Sequence, residues 1–242
     1  MENIKGKTAL ITGGTKGIGY GIAEAMLHEG MNVAITSRSQ EAADQAALEL
    51  AKIGTGKIIG IQADVRNYES QQSAVQKVVD QFGALDVLIA NAGVGHFAPI
   101  GEMTVEQWNE TIDINLTGVF YSVKSCLEAL KQSEGYVITI ASLAGTNFFA
   151  RGAAYNASKF GLVGFTQAMM LDVRQMGIKV STIMPGSVST YFNGHTPNDA
   201  DAWKIQPEDL GQIVVDLLKM NPRTLPSKVE VRPTVPPSAR KK

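Results

Sequence analysis

Seven short apolar runs recur along the chain, each separated from the next by a stretch of helical periodicity. The runs fall at 8–11, 32–36, 57–61, 85–90, 136–140, 179–183 and 228–231. They are apolar throughout rather than at every second position, the pattern of strands covered on both faces. The helical pattern runs through Ile22, Ala23, Met26 and Leu27 to a stop at Gly30. Further helices are expected over about 41–53, 68–82, 105–130, 153–176 and 207–220. Repeated β-α-β units require right-handed crossovers, so the expected fold class is α/β with a doubly wound parallel sheet. No Pro/Ser-rich linker and no internal repeat divides the chain, so a single domain over 1–242 is expected. Segments bearing Pro and Gly follow the strands at 93–99, 145–152 and 185–207. In such sheets ligands bind at the carboxyl ends of the strands, which places the expected site in these loops.

Bulk properties exclude several function classes. A formal net charge of -1 argues against a nucleic-acid partner. The basic cluster Arg240-Lys241-Lys242 reads as a solvated terminus. Cys126 is the single cysteine, so no intrachain disulfide is possible, and its amphipathic setting suggests an inert thiol. No signal peptide is read at the start, and no apolar run approaches the ~20 residues of a membrane span. A cytoplasmic setting is expected. No Cys/His spacing suggests a metal, and no Gly-x-Ser-x-Gly elbow suggests a hydrolase. His28 falls on the first helix, while His96 and His195 read as solvated loop residues rather than pocket-lining ones.

Thr12-Gly13-Gly14-Thr15-Lys16-Gly17-Ile18-Gly19 lies between the first strand and the first helix. Missing side chains at Gly13, Gly17 and Gly19 let backbone approach a pyrophosphate, and the helix start offers free N–H groups and a positive dipole end. The second strand ends in Thr36-Ser37-Arg38-Ser39, where an NAD-binding chain usually carries an acid. Arg38 can grip a 2′-phosphate, Ser37 can add a hydrogen bond, and Lys16 brings a second positive charge. The expected cofactor is therefore NADP(H) rather than NAD(H). Asp64, followed by Val65, offers a carboxylate to an adenine amino group, with an N-cap role as the alternative. Asn91-Ala92-Gly93 closes the fourth strand, where small residues let a cofactor lie against backbone or where Asn91 only ties loops together.

Tyr155 and Lys159 lie one helical turn apart, and Ser142 stands 13 residues before the tyrosine at the end of an apolar run. Reducing a ketone needs a hydride to carbon and a proton to oxygen. A tyrosine is a weak acid with an unperturbed pKa of about 10. A lysine ammonium on the same helix face is expected to lower it, aided by oxidised nicotinamide. Ser142 would donate to the developing alkoxide. Together with the glycine loop, these residues read as a nicotinamide-dependent oxidoreductase.

With these residues in hand, the chain resembles the compact, single-domain branch of the short-chain dehydrogenase/reductase family, from Thr8 to about Leu218. The resemblance rests on Thr12-Gly13-x-x-x-Gly17-x-Gly19, Asp64, Asn91-Ala92-Gly93, Asn115, Ser142, Tyr155-x-x-x-Lys159 and Pro185-Gly186 with Thr190. The family's usual Asn-Asn-Ala-Gly appears here as Ala90-Asn91-Ala92-Gly93. The resemblance implies a seven-stranded Rossmann-type sheet in three α/β/α layers, assembled as tetramers or dimers. It implies Tyr155 as catalytic acid/base in a tetrad with Lys159, Ser142 and Asn115, the asparagine distorting its helix and holding a water on a proton path to the lysine. It places Pro185-Gly186 beside the nicotinamide and Thr190 on its carboxamide, and extends the cofactor set to Thr15, Ile18 and Val188.

The expected function is NADP(H)-dependent interconversion of a ketone or aldehyde and its alcohol, with a small-molecule carbonyl or alcohol as substrate. A substrate segment is placed at about 187–206, flanked by 144–151 and 96–100. Phe148, Phe149, Tyr191, Phe192 and Trp203 make these edges aromatic, which suits an apolar carbonyl compound or else packing. A 3-oxoacyl-carrier-protein reductase is the alternative, although Arg151, Lys124 and Lys131 are a scattered collar for an acidic carrier. A non-catalytic NADPH-binding sensor is a further alternative, disfavoured by the intact Ser142, Tyr155 and Lys159. The prolines after Leu225 suggest an extended arm over about 222–242.

Overall fold

The computed structural model describes residue 1 and residues 3–236. The Arg240-Lys241-Lys242 cluster and the end of the proline-bearing arm lie outside the described residues. The elements follow the order β1 (Thr8–Ile11), α1 (Gly17–His28), β2 (Asn32–Ser37), α2 (Gln40–Leu50), β3 (Ile58–Gln62), α3 (Tyr68–Phe82) and β4 (Val87–Ala90). Then come α4 (Val105–Ile112), α5 (Gly118–Ser133), β5 (Tyr136–Ile140), α6 (Ala153–Val173), β6 (Lys179–Pro185), α7 (Pro207–Lys219) and β7 (Lys228–Val231). All seven strands join one parallel sheet in the order β3-β2-β1-β4-β5-β6-β7. The order reverses between β1 and β4, where such sheets open a crevice.

Uninterrupted apolar strands have a direct structural reason. Ile11, Ile35 and Ile89 project into a core with Ile22 and Met26 of α1, Leu50 of α2 and Leu210 and Val214 of α7. Their neighbours Leu10, Ala34 and Leu88 project the other way, into a core with Val78 of α3, Val123 and Leu130 of α5 and Leu162 of α6. Each face of the sheet therefore has its own helix layer. Fully burying one such side chain contributes about 1.5–3 kcal/mol, so neither alternate position can turn polar cheaply. Cys126 is buried in the second core, where burial pushes its thiol pKa up.

The helical region over 105–130 is interrupted by a π turn, Asp113–Thr117, with Asn115 buried at its centre, the distortion that the resemblance implied. Within the expected extended arm, 228–231 forms the seventh strand that its apolar run suggests, and the arm's start is tied to β6. Ser181 Oγ donates to the Pro226 carbonyl at 2.5 Å, Thr182 N to the Ser227 carbonyl at 3.0 Å, and Gly186 N to the Val231 carbonyl at 2.8 Å. No described helix is long and apolar enough to cross a membrane.

Candidate active site

A cleft of about 1180 Å³ opens over the carboxyl ends of the strands. That exceeds an ordinary small-molecule pocket of ~300–1,000 Å³ and suits a dinucleotide with a substrate beside it. From the turn after β1 it is lined by Gly13, Thr15, Lys16, Gly17 and Ile18, and from β2 by Ser37 and Arg38. The loops after β3 and β4 contribute Asp64, Val65, Asn91, Ala92 and Gly93. Ser142, Tyr155 and Lys159 meet at the other end, beside Pro185, Gly186, Val188 and Thr190. Two of the expected residues, Gly19 and Asn115, do not line it.

Gly13 and Gly17 adopt left-handed backbone at φ 67° and 59°, which other residues resist. Helix α1 begins at Gly17 with no side-chain cap, whereas Ser39, Asn67 and Thr104 cap α2, α3 and α4. The first-turn N–H groups of α1 thus keep their donor capacity for an anion. Gly19 serves packing: a Cβ there would lie 2.5 Å from Asn91 Nδ2 and 2.6 Å from the Gly13 carbonyl oxygen. Asn91 spends its amide on the same loop, donating to the Thr12 and Gly13 carbonyls at 2.9 and 3.0 Å. Thr12 Oγ1 in turn accepts from the N–H of Asn91 and Ala92. The loop-tying alternative for Asn91 therefore describes its side chain, and its position on the cleft wall is a consequence.

Asp64 has a partner that sequence reasoning missed. Arg66 Nη2 donates to Oδ2 at 2.6 Å and Nε to Oδ1 at 3.0 Å, and the Arg66 N–H also reaches Oδ1. This guanidinium pair holds the Asp64 carboxyl below its ordinary value, with Arg38 adding to the lowering. The capping alternative fails, because Asn67 caps α3. An arginine two residues after the acid was the available signal.

At the other end, Lys159 Nζ donates to the Ile140 carbonyl at 3.0 Å and lies 5.8 Å from the Tyr155 ring centroid. Burial brings its pKa down to about 8. In the chain alone the Tyr155 phenol shifts opposite to the lowering expected from Lys159 and oxidised nicotinamide together. Burial raises the phenol, and a hydrogen bond with Ser142 offsets only part of the rise. A buried site penalises both charged forms, so phenol and ammonium each shift toward neutrality. Ser142 is extended, accepts from Ala144 N at 3.1 Å and lies 3.5 Å from the Pro185 carbonyl.

Asn115 stands behind this group. Its Oδ1 accepts from Val94 N and its Nδ2 donates to the Val94 carbonyl, both at 2.8 Å, and Nδ2 also reaches Ser158 Oγ at 3.0 Å. The π turn puts its amide in reach of the loop segment that follows Gly93, so the asparagine ties α6 to the cleft wall. Asn156, adjacent to Tyr155, was also missed. It donates to the Ala144 and Asn147 carbonyls at 2.8 and 2.7 Å and pins the loop after Ser142 onto α6.

Neither loop histidine is simply solvated. His96 Nε2 bonds to Glu110 Oε2 at 2.8 Å, and His195 Nε2 bonds to Asp201 Oδ2. Asp201 is 5% exposed and also pairs with Lys204 Nζ, so it fastens both sides of the 187–206 segment. Lys204 and His195 together bring the Asp201 carboxyl down to about 2. The carboxylate thus survives as pH falls through the ordinary range near 4 and is lost only toward 2. Asp201→Asn is expected to speed amide exchange across 187–206 by tenfold or more, while exchange in β1 and β4 stays unchanged. Uniform exchange in both proteins would remove this role.

A family model described as short chain dehydrogenase matches residues 7–201. The chain belongs to the short-chain dehydrogenase family. It is 38% identical over 189 residues to the D-beta-hydroxybutyrate dehydrogenase of Cupriavidus necator, covering 77% of this chain and 72% of that one. It is 34% identical to the 3-oxoacyl-acyl-carrier-protein reductase of Vibrio cholerae, covering 78% and 76%. Among solved structures, an alcohol dehydrogenase from Thermococcus sibiricus complexed with 5-hydroxy-NADP superposes with a TM-score of 0.89 at 27% identity, covering 98% of each chain. This short-chain dehydrogenase is therefore an oxidoreductase of alcohol and carbonyl groups that works with a nicotinamide coenzyme. Its own residues fit such a coenzyme: left-handed glycines, an uncapped helix start and a cleft that a Cβ at Gly13 would narrow, 3.0 Å from Ala92 Cα.

Proposed function

We infer that this short-chain dehydrogenase interconverts an apolar ketone or aldehyde and its alcohol with NADP(H), and that Tyr155 is its general acid/base. The observation that carries the reading is the meeting of Ser142, Tyr155 and Lys159 at one end of a cleft whose other end bears the glycine turn and Arg38. When bound, the coenzyme supplies or accepts the hydride. The chain handles the proton. In reduction, Tyr155 Oη gives its proton to the carbonyl oxygen while Ser142 Oγ donates a hydrogen bond to the same oxygen. The Lys159 ammonium stabilises the phenolate that results, and in oxidation the phenolate takes the proton back. Asn115 holds the wall at Val94 against α6, which keeps Tyr155 and Lys159 in register with the cleft. The raised phenol pKa keeps the proton on Tyr155 at neutral pH, as the reductive direction requires.

NADP(H) preference follows from Arg38 and Lys16. Both line the cleft, Arg38 directly after Ser37 and Lys16 in the glycine turn with its ammonium 5.8 Å from the Tyr191 ring centroid, and the end of β2 carries no acid to repel a 2′-phosphate. The nearby Asp64 is neutralised by Arg66. Arg38→Leu is expected to weaken NADPH binding ~10–100-fold, the loss of a charged hydrogen bond, with little change for NADH. Fluorescence titration with both coenzymes checks this, and equal losses would end the assignment.

A carrier-tethered thioester is the second reading, favoured by the Vibrio relative. The rim of the site favours a free carbonyl compound, because aromatic side chains face it: Tyr191 and Phe192 line the cleft and are exposed, and Phe149 packs on the Phe97 ring beside Tyr155. Coenzyme oxidation measured with ketones, aldehydes and acetoacetyl thioesters separates the two. Exposed Phe120, Phe160 and Leu171 on α5 and α6 suit association between copies of the chain.

A further inference from the structure

The phenol of Tyr155 stands inside a group of rings drawn from three separate loops. Phe97, from the loop after β4, meets the Tyr155 ring edge-on with centroids 5.4 Å apart. Phe192, from the segment after β6, meets it at 5.7 Å, and the two phenylalanines lie 6.4 Å from one another. Phe149, from the loop after Ser142, packs on Phe97 at 5.8 Å. Gly95 makes this arrangement possible. A Cβ there would lie 2.6 Å from Phe192 Cζ and 2.9 Å from Phe97 Cζ, so any side chain would drive the rings outward. Gly95 and Phe192 both line the cleft.

The segment that carries Phe192 is held in place from both sides. Asn193 and Gly194 take left-handed backbone at φ 55° and 74°, a tight turn immediately after the ring. Beyond that turn, His195 and Lys204 converge on the buried Asp201 carboxylate. The ring is therefore fixed by its backbone turn and by the fastening behind it, while 37% of the residue remains exposed at the cleft.

We propose that Phe192, seated on Gly95 beside Phe97, is the specificity-determining wall of the substrate site, selecting carbonyl compounds that bear one flat, compact apolar substituent such as an aryl group. This rests on the carbonyl-reductase reading above. A carbonyl oxygen bonded to Tyr155 Oη and Ser142 Oγ must direct one of its two substituents toward these rings. A flat group stacks or packs edge-on against Phe192, as aromatic pairs prefer. A branched or three-dimensional group meets a wall that Gly95 has brought close and that the Asp201 fastening prevents from yielding.

The test compares an aryl methyl ketone with a methyl ketone bearing a bulky, branched cage-like alkyl group in the wild type, Phe192→Ala, Phe192→Leu and Gly95→Ala, with the NADPH dissociation constant as the check of folding. In Phe192→Ala the preference for the compact ketone over the bulky one is expected to fall ~10–100-fold, the range that hydrophobic pocket contacts support. The loss should come mainly through KM for the compact ketone. Phe192→Leu should restore part of it, and Gly95→Ala should lower kcat/KM for both ketones with NADPH binding retained. Equal changes for both ketones in Phe192→Ala, or an unchanged ratio, would overturn the proposal. A wild type that binds NADPH but reduces no ketone or aldehyde would instead overturn the reading on which it rests.

Discussion

Tyr155→Phe lowers kcat for carbonyl reduction by ~10²–10⁴, the contribution of a positioned proton donor, and leaves the NADPH dissociation constant nearly unchanged. The substitution removes one oxygen and keeps the ring. Packing against Phe97 and Phe192, at 5.4 and 5.7 Å, is therefore preserved, and the fold should tolerate the change. What is lost is the proton that must reach the substrate oxygen. Ser142 remains and still donates a hydrogen bond, which sets a floor under the residual rate. Single-turnover kinetics with pre-bound NADPH isolates the step. A kcat close to that of wild type would show that the proton comes from elsewhere.

Lys159→Met separates activity from stability. Lys159 is 5% exposed, and its pKa of about 8 means that the fold disfavours its charged form. An apolar side chain of similar length removes that penalty at the expense of one hydrogen bond, to the Ile140 carbonyl. The variant is expected to be more stable at pH 7 by about 1–2 kcal/mol, the usual scale when a functional residue is replaced by a well-packed one. Its kcat should fall at least ~10²-fold, because the phenolate loses its counter-charge. The sign of the pH dependence follows from the same shift. Between about pH 8 and the ordinary lysine value of 10.5, the unfolded chain holds a proton that the fold has released. Wild-type stability therefore gains over that window relative to the variant. Urea unfolding at pH 7 and at pH 9.5 measures both effects. A variant less stable than wild type at pH 7, with no narrowing of the difference at high pH, would show that the ammonium is well solvated by its surroundings.

Most of the architecture was legible because it rests on local signals. Strands β1, β5 and β7 and helix α3 begin and end where the apolar runs and turn residues place them. The exception among the helices was 105–130, where the apolar pattern is continuous and only the resemblance implied that Asn115 distorts its helix. The extra residue of the π turn is stabilised by partners far along the chain, Val94 and Ser158, and periodicity carries no information about them. The clustering of the site residues was legible for a similar reason: in a doubly wound sheet, residues that follow different strands converge at one edge. Gly19 and Asn115 stand outside the cleft because their side positions are used for packing on Asn91 and bracing at Val94.

The sequence by itself determined the layered parallel sheet, the glycine turn before α1, and the grouping of Ser142, Tyr155 and Lys159, because each depends on residue type and short spacing. Only the tertiary structure decided the electrostatics and the fastenings. Arg66 was found on Asp64, His195 and Lys204 on Asp201, Asn156 under the loop after Ser142, and the phenol pKa moved up rather than down. Asp64 and Asp201 find their partners within six residues, so those pairs turn on local loop geometry that residue type alone does not fix. The Tyr155 phenol depends instead on which distant segments bury it, and a low-dielectric interior can outweigh a neighbouring charge that the spacing alone would favour.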